Sequence, residues 1–288
     1  GFDSLGLALA LHDLVSARVV ADSGVRVEVE GLGERTLPRD GRHLVARAMA
    51  EALAAMGQPM PGLTISCRNA IPQGRGLGSS AGAIVAGILL ARGLVADGDS
   101  RMSLDDVLDL ATKMEGHPDN VAAALHGGFT TAWVESDAQA PHARCVSRPV
   151  HEDIVAVAFV PPSTMSTANA RRMLPDTVSR ADAVFNLSRA AVLVHALTTD
   201  PSLLMAATED RLHQEARAAG YPESHALVED LRSRGVAAAI SGAGPSVLAL
   251  TRRDDIALAE SRAPEGWTAT VLAFDGEGAR VHTTDEPA

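Results

Sequence analysis

Apolar and polar positions along the chain sort into short alternating runs and longer runs with a helical beat. The first twelve residues, GFDSLGLALALH, are apolar around Asp3 and Ser4 and predict a buried strand or a short helix, with Asp3 at a turn or cap. Leu14–Val20 and Val25–Glu30 alternate, and the Asp22-Ser23-Gly24 turn between them predicts a β-hairpin. Leu44–Met56 carries Val45, Met49 and Leu53 on one helical face and stops at Gly57. A strand follows over Leu63–Arg68. The run Ala83–Val95 is almost wholly apolar and small, which predicts a buried helix. Leu104–Met114 is helical again, with Asp105 and Asp106 in its first turn, where the helix dipole favours acids. Strands are expected at Phe129–Val134 and Arg144–Val150, and the unbroken apolar run Ile154–Val160 predicts a buried strand ended by Pro161 and Pro162. Helices are expected over Ala181–Leu197, Ser202–Leu212 and Leu227–Arg234. Ala237–Ile240 reads as a strand, and Val247–Thr251 as another that pairs with Thr268–Phe274 across a helix at Asp255–Arg262. The polar, proline-bearing stretch 135–152 divides the chain into 1–150 and 151–288. The mixture is of the α+β class.

Composition narrows the function. Hydrophobic residues make up 46% of 288, ample for packed cores. The formal net charge of −11 argues against binding nucleic acid through its phosphates. Cys67 and Cys145 have neither metal-ligand spacing nor a disulfide framework, and are expected to be reduced thiols of a cytoplasmic protein. No apolar run is long enough for a membrane span. Lys113 is the lone lysine, so no lysine lies in or near the glycine-rich stretch at 72–82. That excludes a Walker P-loop and a protein kinase, both of which place a lysine on the phosphates.

The stretch itself is Pro72-Gln-Gly74-Arg75-Gly76-Leu77-Gly78-Ser79-Ser80-Ala81-Gly82. It follows a predicted strand and opens a predicted helix. Glycines allow tight folding and close approach, Ser79 and Ser80 are helix-capping types, and a helix N-terminus attracts phosphate. A second polar cluster, Glu115-Gly-His117-Pro-Asp119-Asn120, offers oxygen ligands suited to Mg²⁺, or else is a loop that ends one helix and starts the next. A third, Ser241-Gly242-Ala-Gly244-Pro-Ser246, reads as a small anion nest or as a hairpin turn. Arg171 and Arg217 are single arginines that read as surface residues or as carboxylate clamps.

In this order, Pro-x-x-x-Gly-Leu-Gly-Ser-Ser-Ala, Gly-His-Pro-Asp-Asn and Ser-Gly-Ala-Gly-Pro resemble the motifs of the GHMP small-molecule kinases. The homoserine kinase branch is the most similar. Its pattern is matched by Gly1-Phe2-Asp3-Ser4-Leu5-Gly6, by Glu115–Val121, by Ser166-Thr167 through Arg171 to Leu174-Pro175, and by Asp210–Gln214 followed by Arg217. The resemblance covers nearly the whole chain. It implies two domains, a ribosomal protein S5 domain 2-like N-terminal domain and a ferredoxin-like C-terminal domain. It implies transfer of the γ-phosphoryl group of ATP to the side-chain hydroxyl of L-homoserine, in threonine biosynthesis. No nucleic-acid or membrane partner is expected, and a homodimer is. By the same resemblance Pro72, Gly74, Arg75, Gly76, Leu77, Gly78, Ser79, Ser80, Ala81 and Gly82 bind the nucleotide. Ser80 and Glu115 hold Mg²⁺, with Asp109 the rival carboxylate. Asp3, His117, Asn120, Arg171, Arg217, Gly242 and Gly244 receive the substrate. Asn120 aligns the attacking hydroxyl, and Asn120, Glu115 and Ser80 form the catalytic set without a general base. The family's signature continues upstream of Gly1 with a further strand, so an open edge of the N-terminal sheet is expected here. A mevalonate-pathway or sugar kinase, and a non-catalytic binder of ATP and metabolite, are the alternatives.

Overall fold

The alternating and continuous runs become strands of three separate sheets in the computed structural model, which describes residues 4–136 and 141–283. The chain divides into two units. The first runs up to Ile71, resumes from Gly78 to Ser147, and takes in the chain from Asp275 onward; the second holds Pro72–Leu77 and Arg148–Phe274.

In the first unit the elements are β1 (Ser4–Leu7), β2 (Leu14–Val20), β3 (Val25–Gly31), α1 (Leu44–Ala55), β4 (Gly62–Asn69), α2 (Ser79–Leu94), α3 (Gly98–Arg101), α4 (Leu104–Glu115), α5 (Asp119–His126), β5 (Phe129–Ser136) and β6 (Pro141–Arg148). They form two three-stranded sheets, in the orders β1-β5-β6 and β2-β4-β3. The expected hairpin of β2 and β3 does not form. Strand β4 lies between them, antiparallel to β2 and parallel to β3. The Asp22 turn passes over the first residue of β4. A Cβ on Gly62 would lie 1.7 Å from the Asp22 carbonyl oxygen, so only glycine admits the crossing. The inward positions Val27, Val29, Leu63, Ile65 and Cys67 join Val45, Met49 and Leu53 of α1 and Ile84, Val85 and Ile88 of α2 in one core. Helix α4 starts at a reciprocal capping box, in which Ser103 and Asp106 bond each other's backbone N–H.

The second unit comprises β7 (Ile154–Val160), α6 (Thr167–Arg172), α7 (Arg180–Thr198), α8 (Leu204–Ala207), α9 (Gln214–Arg217), α10 (Pro222–Ser233), β8 (Ala237–Ile240), β9 (Val247–Arg252), α11 (Ile256–Glu260) and β10 (Thr268–Leu272). Its antiparallel sheet has the order β10-β7-β9-β8, the arrangement of a ferredoxin-like fold. The expected pairing of β9 with β10 is therefore corrected. Both pair with β7, which lies between them, so they run parallel to each other and need the helical crossover α11. The helix expected over Ser202–Leu212 is also interrupted. The Asp210 carboxylate accepts the backbone N–H of His213 and Gln214 at 2.9 and 2.7 Å, which turns the chain and starts α9. The core packs Val157 and Phe159 of β7 and Val247 and Ala249 of β9 against Leu227, Val228 and Leu231 of α10.

The two units meet along the chain between Ser147 and Arg148, and two segments lie outside a single cut there. Residues 72–77 pack with the second unit. The tail returns to the first, where the Asp275 backbone bonds both Ala8 and Gly128. Among the described residues no helix is long and apolar enough to cross a membrane.

Candidate active site

The glycine-rich stretch changes units between Leu77 and Gly78. Gly74, Gly76 and Gly78 have φ of 63°, 71° and 76°, an alternation of left-handed residues that only glycine adopts without strain. In the second unit the stretch is pinned through its backbone. The Gly74 carbonyl accepts the Met165 N–H, and the Gly76 carbonyl accepts the Ser241 hydroxyl at 2.7 Å. Arg75 donates to the carbonyls of Pro161, Pro162 and Gln73 at 2.8, 2.7 and 3.0 Å. Its guanidinium thus fixes the loop's shape. The turn Ser241–Ser246 closes the hairpin of β8 and β9, with the Ser241 N–H bonded to the Ser246 carbonyl, and carries Gly242 and Gly244 at positive φ.

In the first unit Gly78 occupies the position that caps α2, and no side chain bonds the helix's first turn from there. The serines do not cap, contrary to what their type suggests. The opening N–H groups of a sixteen-residue helix are left for another acceptor. Ser80, in that first turn, bonds Glu115 at the end of α4, Oγ to Oε1, at 2.6 Å. Gly116 ends α4 at φ 89° and turns the chain into His117-Pro118 and α5. His117 is 6% exposed, and its Nδ1 meets Asp119 Oδ1. That oxygen also accepts the Asn120 N–H at 2.6 Å. Burial works to raise the Asp119 carboxyl. The His117 bond and charge, with the Asn120 N–H, outweigh it and hold the carboxyl below its usual range. The Asn120 side chain lies beside the loop's end, 3.9 Å from where a Cβ on Gly78 would stand. Asp109 is turned elsewhere: its carboxylate holds His142 and the Ala143 N–H of β6 at 2.8 and 2.6 Å.

In the second unit Arg217 is only 8% exposed, and its Nε donates to the Ala170 carbonyl at 3.0 Å. That bond sets it beside the next residue of α6, Arg171, which is exposed. Among the described residues no carboxylate pairs with Arg217. Asp3 lies outside the described residues. Tyr221, buried four residues after Arg217, belongs to no motif; its one mark in the sequence is that the chain has no other tyrosine.

Residues 43–128 match the family GHMP kinases N terminal domain, and residues 193–269 match GHMP kinases C terminal. A homoserine kinase of Streptomyces avermitilis is 51% identical over 281 residues, covering 98% of this chain and 90% of the relative. One of Clavibacter michiganensis is 50% identical, over 99% of this chain and 90% of its own length. The chain belongs to the homoserine kinase family of GHMP kinases. A solved homoserine kinase from Cytophaga hutchinsonii superposes with a TM-score of 0.82 at 27% identity, over 95% of this chain and 90% of the other. A mevalonate kinase of L. major shares the fold, with a TM-score of 0.63 at 16% identity over 97% and 91% of the two chains. A homoserine kinase uses ATP, and Mg²⁺ accompanies ATP through phosphate oxygens, water and one or two carboxylates. Ser80 Oγ and Glu115 Oε1 are two hard oxygens in contact at a helix N-terminus, and they fit that requirement. Among the described residues no group of three or more His, Cys, Asp or Glu forms an all-protein metal cage.

Proposed function

We propose that this chain transfers the γ-phosphoryl group of ATP to the side-chain hydroxyl of L-homoserine. The observation that carries this reading beyond family membership is Arg217, a buried cation that no carboxylate meets among the described residues. A substrate with a carboxylate supplies what it lacks, and mevalonate-like or amino-acid substrates have one where sugars do not. Identity near one half to homoserine kinases then selects the amino acid. Arg171, next to the Ala170 carbonyl that holds Arg217, serves the same carboxylate; Gly242 and Gly244 line its approach, and Asp3 takes the ammonium.

The first turn of α2 and the backbone of Gly74–Gly82 receive the phosphates. Ser80 and Glu115 hold Mg²⁺, which neutralises phosphate charge when bound. His117 and Asn120 address the amino-acid alcohol, and Asn120 orients its hydroxyl. No residue is assigned as general base. Asp119 is committed to His117 and the Asn120 N–H, and its lowered pKa makes it a weak base. Phosphoryl transfer passes through a loose transition state, so alignment and charge stabilisation suffice and the proton leaves late.

The test is ADP release from ATP with L-homoserine, mevalonate or galactose as acceptor. Turnover with L-homoserine is expected. Turnover confined to mevalonate or galactose overturns the proposal.

A further inference from the structure

Beside Arg217 stands a second buried polar group that no acceptor meets among the described residues. Tyr221 is 5% exposed, and among the described residues nothing accepts the hydrogen of its buried hydroxyl. The short turn Ala218–Gly220 follows α9 and closes with the Tyr221 N–H on the Ala218 carbonyl, which brings Tyr221 back beside Arg217. Its ring is wedged under the glycine turn. A Cβ on Gly244 would lie 2.8 Å from Tyr221 Cε1 and 3.2 Å from Cζ. Leu227, Val228 and Ile240 belong to the same core. The phenol therefore has little freedom to seek water. Burial pushes its pKa up, against the charge and the hydrogen bond of Arg217, so at neutral pH it keeps its proton and can donate it.

Two donors stand together here, and among the described residues no carboxylate receives either. Arg217 donates through Nε to the Ala170 carbonyl and sets its guanidinium against the Tyr221 oxygen, while among the described residues the phenolic hydrogen has no acceptor. A buried donor left unmet is unfavourable, and native interiors rarely keep one without a use. Two converging donors of this kind fit one ligand class, an anion with two oxygens. We infer that Tyr221 is a specificity-determining residue of this site: its hydroxyl donates to the same substrate carboxylate that Arg217 receives. The inference rests on the substrate reading above.

The test compares L-homoserine with 3-aminopropan-1-ol, which keeps the ammonium and hydroxyl but lacks the carboxylate. Wild-type turnover of L-homoserine is established first; its absence would sink the substrate reading and not the tyrosine. In Y221F the KM for L-homoserine is expected to rise about 10- to 100-fold, the range of one hydrogen bond to a charged group. The KM for ATP and the kcat/KM for 3-aminopropan-1-ol should stay within about threefold. A loss shared equally by both acceptors, or an unchanged KM for L-homoserine, overturns the proposal. A second measurement needs no substitution. Since Tyr221 is the only tyrosine, biosynthetic 3-fluorotyrosine places one ¹⁹F probe beside this hydroxyl. Its resonance should shift on saturation with L-homoserine and stay in place with 3-aminopropan-1-ol. No shift with L-homoserine overturns the proposal.

Discussion

Ser80 with Glu115 in the first unit, and Arg217 with Tyr221 in the second, hold polar groups ready in opposite ways. Ser80 is exposed and Glu115 half-buried, and they satisfy each other through a 2.6 Å bond. Exchanging that bond for a ligand costs little, because water can stand in at each stage. Arg217 and Tyr221 are buried, and among the described residues no carboxylate meets Arg217 and nothing accepts the Tyr221 hydroxyl hydrogen. An unmet buried donor costs about 1–3 kcal/mol, a burden that a ligand with the right acceptor lifts and a ligand without it leaves in place. The first arrangement suits a metal–phosphate group common to many reactions. The second discriminates between acceptors, since a site built to hydrogen-bond a substrate group rejects the analogue lacking it.

The largest expected effect separates the two regions by sign. In R217M, kcat/KM for L-homoserine should fall about 10³-fold, the scale of removing one partner from a buried charge contact. Thermal stability should hold or rise, because an unpaired buried charge gives way to an apolar side chain of similar length. Steady-state kinetics and a melting curve on one sample check both. A lower melting temperature would mean that Arg217 already has its partner in the free protein.

In E115Q the loss should fall on kcat, about 10²-fold, as when one electrostatic contact to a transition state is removed, with KM for L-homoserine little changed. A change mainly in that KM would move Glu115 from the phosphate end to the acceptor end. D119N is expected to lower kcat less than tenfold, whereas loss of a general base would cost about 10²–10⁴-fold. Its effect belongs to stability. The Asp119 carboxyl is held below its usual range, so its contribution is present above the ordinary aspartate pKa of about 3.9 and is lost as pH falls through the lowered value. Urea titrations should show D119N about 1–2 kcal/mol less stable at pH 7, the order of a hydrogen bond to a charged group, with the gap closing as pH falls below the ordinary aspartate value. A gap independent of pH would refute that origin. The smallest effect concerns burial of a group that can stay neutral. Burial pushes the thiols of Cys67 and Cys145 up to about 11, so iodoacetamide at pH 8 should leave activity intact. Inactivation would show that one of them opens to solvent.

Much of this contrast was readable before any coordinates. Ala83–Val95 and Ile154–Val160 announce a buried helix and a buried strand by composition alone, and the glycine alternation at 74, 76 and 78 fits its backbone angles. Strand order was not readable. Neighbours in sequence, β2 with β3 and β9 with β10, each have another strand inserted between them, and the residue that permits one insertion is a glycine without a side-chain signal, Gly62. At the site, Ser80, Glu115 and His117 sit in motifs. Tyr221 does not, because in a pattern of apolar positions a tyrosine ring counts as core, and only the structure tells that its hydroxyl is unmet.

The tail from Asp275 onward belongs to the first unit, and the sheet of the second is complete at Leu272. On the ribosome this inverts the usual order, in which an amino-terminal domain matures while the rest is still being made. Here the first unit awaits Asp275, which follows the whole of the second unit's sheet. Until Asp275 emerges, the backbone bonds it makes to Ala8 and Gly128 have no partner. The unit begun before the second is therefore completed only after the second unit's sheet has been made.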